Sequence, residues 1–435
     1  DMERELVGVI SIIIMMVLLL MRLPVAFVML ALGMGGIAYI KGMEAAVGMA
    51  ASTVFGTFAN YALVVVPLFT WMGFIGFHSG ISEHLYDAAY KLVGRLKGGL
   101  AIATTMACAA FGAICGSTTA TSATFATLAL PEMRKRGYDL SLATANIAAS
   151  GILGVLIPPS VIFIVYASIT AESVAKLFVA GIFPGILLMV LFMAATYIVV
   201  ARHPEKAPPG PSFPWKERIL AMAKGGIEVI IIFAAVIGGL LSGLFTGTEA
   251  GSVGCFATLV VVLARRALTW KGFVDSLKDT VRTSTMVMLL VAGAAIYGEF
   301  LGLTRLPMLV ANWVVALPLH PNLIMVGILI ILMIMGCFID ALAMLLLTIP
   351  IFYPAAMKLG FDGTWFGVIM TLALGMGVLT PPVGANVYVV YAIAKDVPVM
   401  TIFRGTWPYL IALWVCCLVL LLFPQVALYL PSFVK

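Results

Sequence analysis

Gly151-Ile-Leu-Gly-Val-Leu-Ile-Pro-Pro-Ser160 decides how this chain folds, because a near copy, Gly375-Met-Gly-Val-Leu-Thr-Pro-Pro-Val383, returns in its second half. Both stretches lie inside long apolar segments. Adjacent prolines remove two backbone donors and clash with the preceding turn, so each segment breaks as a helix. A helix broken at membrane depth leaves bare amides and carbonyls. A bilayer tolerates these only where protein buries them or where they line a wet cavity, which in transporters is where cations and substrates are held.

The composition agrees with a membrane setting. Of 435 residues, 63% are hydrophobic and 10% charged, far from the soluble norm. The expected class is an all-α polytopic membrane protein. The net charge of +6 comes from basic residues in loops between apolar runs, which is a topology signal and not a nucleic-acid surface. Cys108, Cys115, Cys255, Cys337, Cys416 and Cys417 sit in apolar runs without C-x-x-C spacing, and His78, His84, His203 and His320 share no ligand spacing. No His/Cys metal site and no organic cofactor is therefore expected. Asp1, Glu3 and Glu5 precede the first apolar run without a basic n-region, so no signal peptide is expected, and the absent initiator Met suggests missing upstream residues.

Spans are expected at about 6–21, 24–40 and 61–79, followed by an interfacial amphipathic helix over 82–97 that lies against membrane lipid. The run 98–133 is cut by Gly116-Ser-Thr-Thr-Ala-Thr-Ser122 into arms of about 15 residues, roughly 23 Å each, too short for a core roughly 30 Å thick. A re-entrant hairpin fits better than two spans. A broken span at 141–170 and a full one at 177–201 complete the first half. The proline-rich stretch 202–218 is read as a linker. The second half brings spans at 226–245 and 248–264, a basic amphipathic stretch 265–282, and a span at 283–302. An amphipathic segment at 305–320, a hairpin at 322–357, a broken span at 364–394 and a last span at 406–430 follow.

Shifting the sequence by 223 residues superposes Pro131 on Pro354, Gly137 on Gly360, Asp139 on Asp362, Gly154 on Gly377 and the proline pair on itself. Apolar text aligns by chance at Leu and Val, but not at Gly, Asp and Pro together. Residues 1–201 and 219–435 are therefore expected to be two repeats around a cytoplasmic linker, 202–218. Five spans per half is odd, so the repeats run inverted. With the linker inside, only Arg4, Lys41, Lys176, Arg305, Lys358 and Lys435 of the 25 Lys and Arg fall elsewhere, which places both termini outside. The hairpins then enter from opposite faces and their tips meet near the midplane.

The first tip, Cys115, Gly116, Ser117, Thr118 and onward through Thr121 to Ser122, offers hydroxyls and exposed backbone to a sodium ion. Unwound carbonyls of Gly154, Ile157 and Pro159 complete the set, and Gly336 with Gly377, Thr380 and Pro382 is the counterpart. The plainer alternative is that Gly and Ser merely permit tight turns. Asp340 at the second tip is costly at depth, about 2.5–3.5 kcal/mol on insertion scales, and serves either a cation or substrate site or as a helix N-cap. Ser117, Thr121 and Asn386 join it as substrate candidates, although Asn386 is equally explained by a hydrogen bond within the bundle. Glu249 and Glu299 are expected to serve packing, since no chain of acidic groups links them.

Several stretches together resemble the large membrane subunit of the tripartite ATP-independent periplasmic (TRAP) transporters. They are Ser79-Gly-Ile-Ser-Glu83, Arg95-Leu-Lys-Gly-Gly99, Gly116-Ser117, Pro131-Glu-Met-Arg-Lys-Arg-Gly-Tyr-Asp139, Ile157-Pro-Pro-Ser160, Thr246-Gly-Thr-Glu-Ala250, Gly360-Phe-Asp362, and Thr380-Pro-Pro-Val-Gly384 with Asn386. The resemblance implies an elevator-type sodium symporter for a small organic anion. It also implies a small membrane subunit, a periplasmic substrate-binding protein as partners, and residence in a bacterial inner membrane. Cys115 stands where the family often carries Ser, and Gly375 where a polar residue is frequent. The rival within transport is a standalone sodium/dicarboxylate symporter. A proton-channel subunit would need several Lys and Glu mid-span, and an intramembrane hydrolase a histidine or paired Asp at depth; neither pattern is present.

Overall fold

The double prolines act as their chemistry requires. In the computed structural model, Ile157 is pushed out of the helical region by the proline after it, to φ −80° and ψ 123°. Ser160 then caps the next helix, its hydroxyl accepting from the Phe163 amide at 3.5 Å. The structure describes residues 2–21 and 23–434. Asp1, Arg22 and Lys435, used above for the N-terminus and the charge count, lie outside the described residues.

Among the described residues the chain is helical with no strand. The first half holds α1 (Met2–Leu20), α2 (Val25–Lys41), α3 (Met43–Phe58), α4 (Val65–His78), α5 (Ile81–Val93), α6 (Gly99–Cys115) and α7 (Thr118–Lys135). It ends with α8 (Leu140–Ser150), α9 (Leu153–Leu156), α10 (Val161–Thr170) and α11 (Val174–Arg202). The second half holds α12 (Trp215–Ala221), α13 (Ile227–Ser242), α14 (Gly247–Ala264), α15 (Trp270–Thr304), α16 (Leu306–Ala316) and α17 (Pro321–Gly336). After them come α18 (Ala341–Lys358), α19 (Gly363–Gly377), α20 (Ala385–Ile393), α21 (Val399–Leu422) and α22 (Gln425–Leu428).

The 223-residue shift carries the bounds of α7 onto those of α18, and brings α5, α10 and α11 within a few residues of α16, α20 and α21. Among the described residues, seven helices are long and apolar enough to cross a membrane, or up to eight if α8–α9 and α10, bent by 44°, form one span. The chain is a polytopic helical membrane protein. Helix α18 is among the seven, yet it starts at a hairpin tip and packs on α17 and α19 as an arm would.

Four expectations need correction. Helix α3 was passed over: it is rich in Ala, Gly and Thr and mostly exposed, so it carries no strong apolar signal. The stretches 265–282 and 283–302 are joined in α15, because no Gly or Pro stands near their junction, between 273 and 292. The arms of the first hairpin have 17 and 18 residues, longer than about 15, because its tip is two residues and not seven. Ser117 caps α7, so Thr118 onward is already helical. The linker shortens as well, since its last residues open α12.

The broken helices form the centre. Every residue of α19 is buried, as is α8 from Leu142 onward. The distal halves cross over: α10 packs on α18 and α20 packs on α7, so each lies against the second arm of the other half's hairpin. Around them α2, α4, α14 and α15 pack as a second group. Arm helix α5 lies on α6 and on a π-helical turn, Met222–Gly226, between α12 and α13. There the buried Glu228 pairs with Arg265, whose guanidinium also donates to the Lys224 carbonyl.

Candidate functional site

The first hairpin turns through Gly116, at φ 65°, a left-handed conformation that glycine adopts without penalty. A Cβ there would come within 2.8 Å of the Pro159 carbonyl oxygen. One at Gly154 would meet the Ser117 carbonyl oxygen at 2.7 Å and Thr121 Oγ1 at 2.5 Å. Tip and break are thus in backbone contact, and the missing side chains leave a cradle walled by oxygens. Ser122 Oγ, beside Gly151 in the same seam, is buried and has no hydrogen-bond partner. Carbonyls, hydroxyls and an orphaned buried oxygen are what a small hard cation takes, so the first tip fits sodium.

The second hairpin meets its break more tightly. A Cβ at Gly377 would stand 2.5 Å from the Gly336 Cα, and one at Gly336 2.8 Å from the Gly377 Cα. The Val383 and Gly384 amides both donate to the Cys337 carbonyl, at 3.1 and 3.3 Å, stapling the break to the tip. Thr380 Oγ1 donates to the Met376 carbonyl at 2.7 Å, and the oxygen beside the paired glycines is the Gly336 carbonyl, 3.1 Å from where a Gly377 Cβ would stand. This half therefore offers a poorer oxygen set than the first. It is also more open: Pro381, Pro382 and Val383 are exposed, whereas Pro158 and Pro159 are buried.

Both tips line one cavity of about 480 Å³, in which Cys115, Gly116, Ser117 and Thr118 face Asp340, Ala341 and Leu342. A second cavity of about 520 Å³ shares Asp340 and is bounded by Pro382 and the α1–α2 corner at Leu19, Leu20, Leu23 and Val25. Asp340 is exposed between the two, and its Oδ2 accepts from the Leu342 amide at 3.1 Å. Cap and cavity-facing group are one residue. A capping carboxylate is held by the positive end of its helix, which keeps it fixed at the cavity wall.

The structure brings together Cys115, Gly116, Ser117, Thr118, Gly154 and Pro159 in one half, and Gly336, Gly377, Thr380 and Pro382 in the other. Ile157 is half-buried, packed on Gly185 of α11. Thr121 lies behind the cavity, its hydroxyl donating to the Ser117 carbonyl at 2.8 Å. Asn386 is not brought to the cavity: it is fully buried, Nδ2 donates to the Ala148 carbonyl at 3.1 Å, and Oδ1 lacks a partner. Residues that sequence reasoning missed form the opposite wall, Thr70, Phe74 and Phe77 of α4 with Thr283 and Met286 of α15. A hydroxyl inside an apolar span was the only signal for Thr70 and Thr283.

A sequence model of the family described as "Tripartite ATP-independent periplasmic transporter, DctM component" matches residues 12–426. The chain is 34% identical over 379 residues to the C4-dicarboxylate TRAP transporter large permease protein of Pseudomonas aeruginosa, covering 87% of this chain and 88% of that one. It is 33% identical over 387 residues to the sialic acid TRAP transporter large permease protein of Vibrio cholerae, covering 89% and 90%. Among solved structures, the YdaH transporter of Alcanivorax borkumensis superposes with a TM-score of 0.57 at 15% identity, over 86% of this chain and 88% of that one, a likeness of fold alone.

Proposed function

The chain belongs to the DctM component family of the tripartite ATP-independent periplasmic transporters, and from that membership we propose that it moves a small organic acid on a sodium gradient by an elevator movement. It is a transport permease, not an enzyme. The observation that carries the proposal is the convergence of Ser117 and Asp340, from opposite hairpins, on one cavity while each tip stays packed on its own helix break. Sodium, when bound, supplies positive charge beside the substrate's carboxylate. The chain's own part is to hold carbonyls and hydroxyls in place: Ser117 by capping α7, Gly116 and Gly154 by admitting close backbone contact. The group formed by both hairpins and both broken helices is the moving body, and α2, α4, α14 and α15 the frame it slides against.

The family implies a periplasmic binding protein that delivers the substrate and, in most members, a small membrane subunit, in the inner membrane. We place the two repeats, 1–201 and 219–435, in opposite senses, with the 202–218 linker in the cytoplasm and both ends of the chain outside. A cysteine at Ser212, in a chain whose native cysteines are all buried, is expected to react with an impermeant maleimide only in inside-out vesicles. Reaction in right-side-out vesicles would reverse the orientation.

The decisive experiment is uptake into proteoliposomes carrying the full transporter. With its binding protein and an inward sodium gradient, uptake is expected; replacing sodium by choline should abolish it. Undiminished uptake in choline would refute sodium coupling. Uptake without any binding protein would favour the standalone symporter instead.

A further inference from the structure

The cavity that both tips share also carries information about what fills it, on the transport reading given above. Its polar lining comprises Ser117, Thr118, Thr119 and Thr124 of the first hairpin, with Thr70 and Thr283 on the frame side. The rest of the wall is phenyl and branched aliphatic, with Phe74 and Phe77 from α4, Phe111 from α6 and Met286 from α15. Among the described lining residues Asp340 is the one charged group, and none is Lys, Arg or His.

Three consequences follow from this arrangement. A dicarboxylate would bring two negative charges beside the Asp340 carboxylate with no described basic side chain to receive the second, and like charges at close range in a poorly screened site repel. A sugar acid would set a row of hydroxyls against phenyl rings, and buried hydroxyls without partners are costly. An acid with one carboxylate suits the site, with that group beside the hydroxyls of the first tip and an apolar body against the rings.

We infer that the cavity takes a monocarboxylate with an apolar, ring-sized body, selected from the frame side by Phe74 and Phe77. The inference separates this chain from the two relatives, which are named for a dicarboxylate and a sugar acid.

Thermal unfolding of the purified full chain in detergent, followed by tryptophan fluorescence, tests it with phenylacetate, succinate and N-acetylneuraminate in sodium chloride. Phenylacetate is expected to raise the melting temperature by about 3 °C at saturating concentration, the other two by less than the scatter between replicates. Phe77, exposed at 43%, tolerates replacement. Phe77→Arg, which supplies the missing cation, is expected to weaken the phenylacetate response and create one to succinate. Stabilisation of the parent chain by succinate or N-acetylneuraminate as large as that by phenylacetate overturns the inference, and so does a response to none of the three. The same unfolding curve without any acid, in sodium against choline, reads the sodium proposal separately. A chain indifferent to sodium but stabilised by phenylacetate would sink the coupling and keep the substrate class.

Discussion

Gly377→Val is expected to abolish sodium-dependent uptake and to lower the melting temperature as well. Its first added carbon would lie 2.5 Å from the Gly336 Cα and 2.8 Å from the Gly336 carbonyl carbon, and both are backbone atoms that no rotamer change can clear. The second hairpin has to back away from its helix break. Such overpacking costs about 3 kcal/mol at the upper end of the usual range, and the same displacement moves the Gly336 carbonyl away from the break. A loss of that size in a binding step is roughly a hundredfold in affinity. Uptake at several sodium concentrations separates the two effects: a raised half-saturation for sodium marks the ion site, a lower maximal rate alone marks misfolded protein. Uptake indistinguishable from the parent's would mean that the two backbones are not in contact in the working protein.

Asp340→Asn is expected to cut uptake at least about tenfold at unchanged expression, whereas Asp340→Ala should lose uptake and about 1 kcal/mol of stability as well. Asparagine caps a helix about as well as aspartate, so the Leu342 amide keeps its acceptor and α18 its start. Only the negative charge in the cavity is removed. The comparison therefore separates the two roles that one carboxylate combines. Parent-level transport by Asp340→Asn, measured beside the membrane abundance of the variant, would reduce Asp340 to a cap.

How much of this was legible in the sequence follows from which interactions are local. The breaks at Pro158-Pro159 and Pro381-Pro382 were legible because a proline acts on its own turn, and the repeat because Gly, Asp and Pro sit at positions that chemistry restricts. The place of Asp340 at a helix start was legible for the same reason, since a capping side chain acts on the turn that follows it. The length of the first tip was not: Thr118 to Ser122 look like loop by composition, yet capping at Ser117 and contact with Gly151 and Gly154 make them helical. Helix α3 was missed because its residues are small and face outward. The wall of Thr70, Phe74 and Phe77 was hidden because a phenylalanine in a span looks the same whether it meets lipid, a neighbour or a cavity. Asn386 shows the converse: a polar residue at a suggestive place whose amide is taken by Ala148, far along the chain.

The unequal wetting of the two proline pairs bears on energetics. Pro381 and Pro382 meet open space while their equivalents 223 residues earlier are enclosed, although both breaks are built from nearly the same short sequence. If the halves trade places during a transport cycle, one proline pair dries as the other hydrates, and the solvation terms of two like segments largely cancel. The empty carrier would then sit on a nearly level landscape, free to face either way, and the direction of net flow would be set by the ions and acids present on each side.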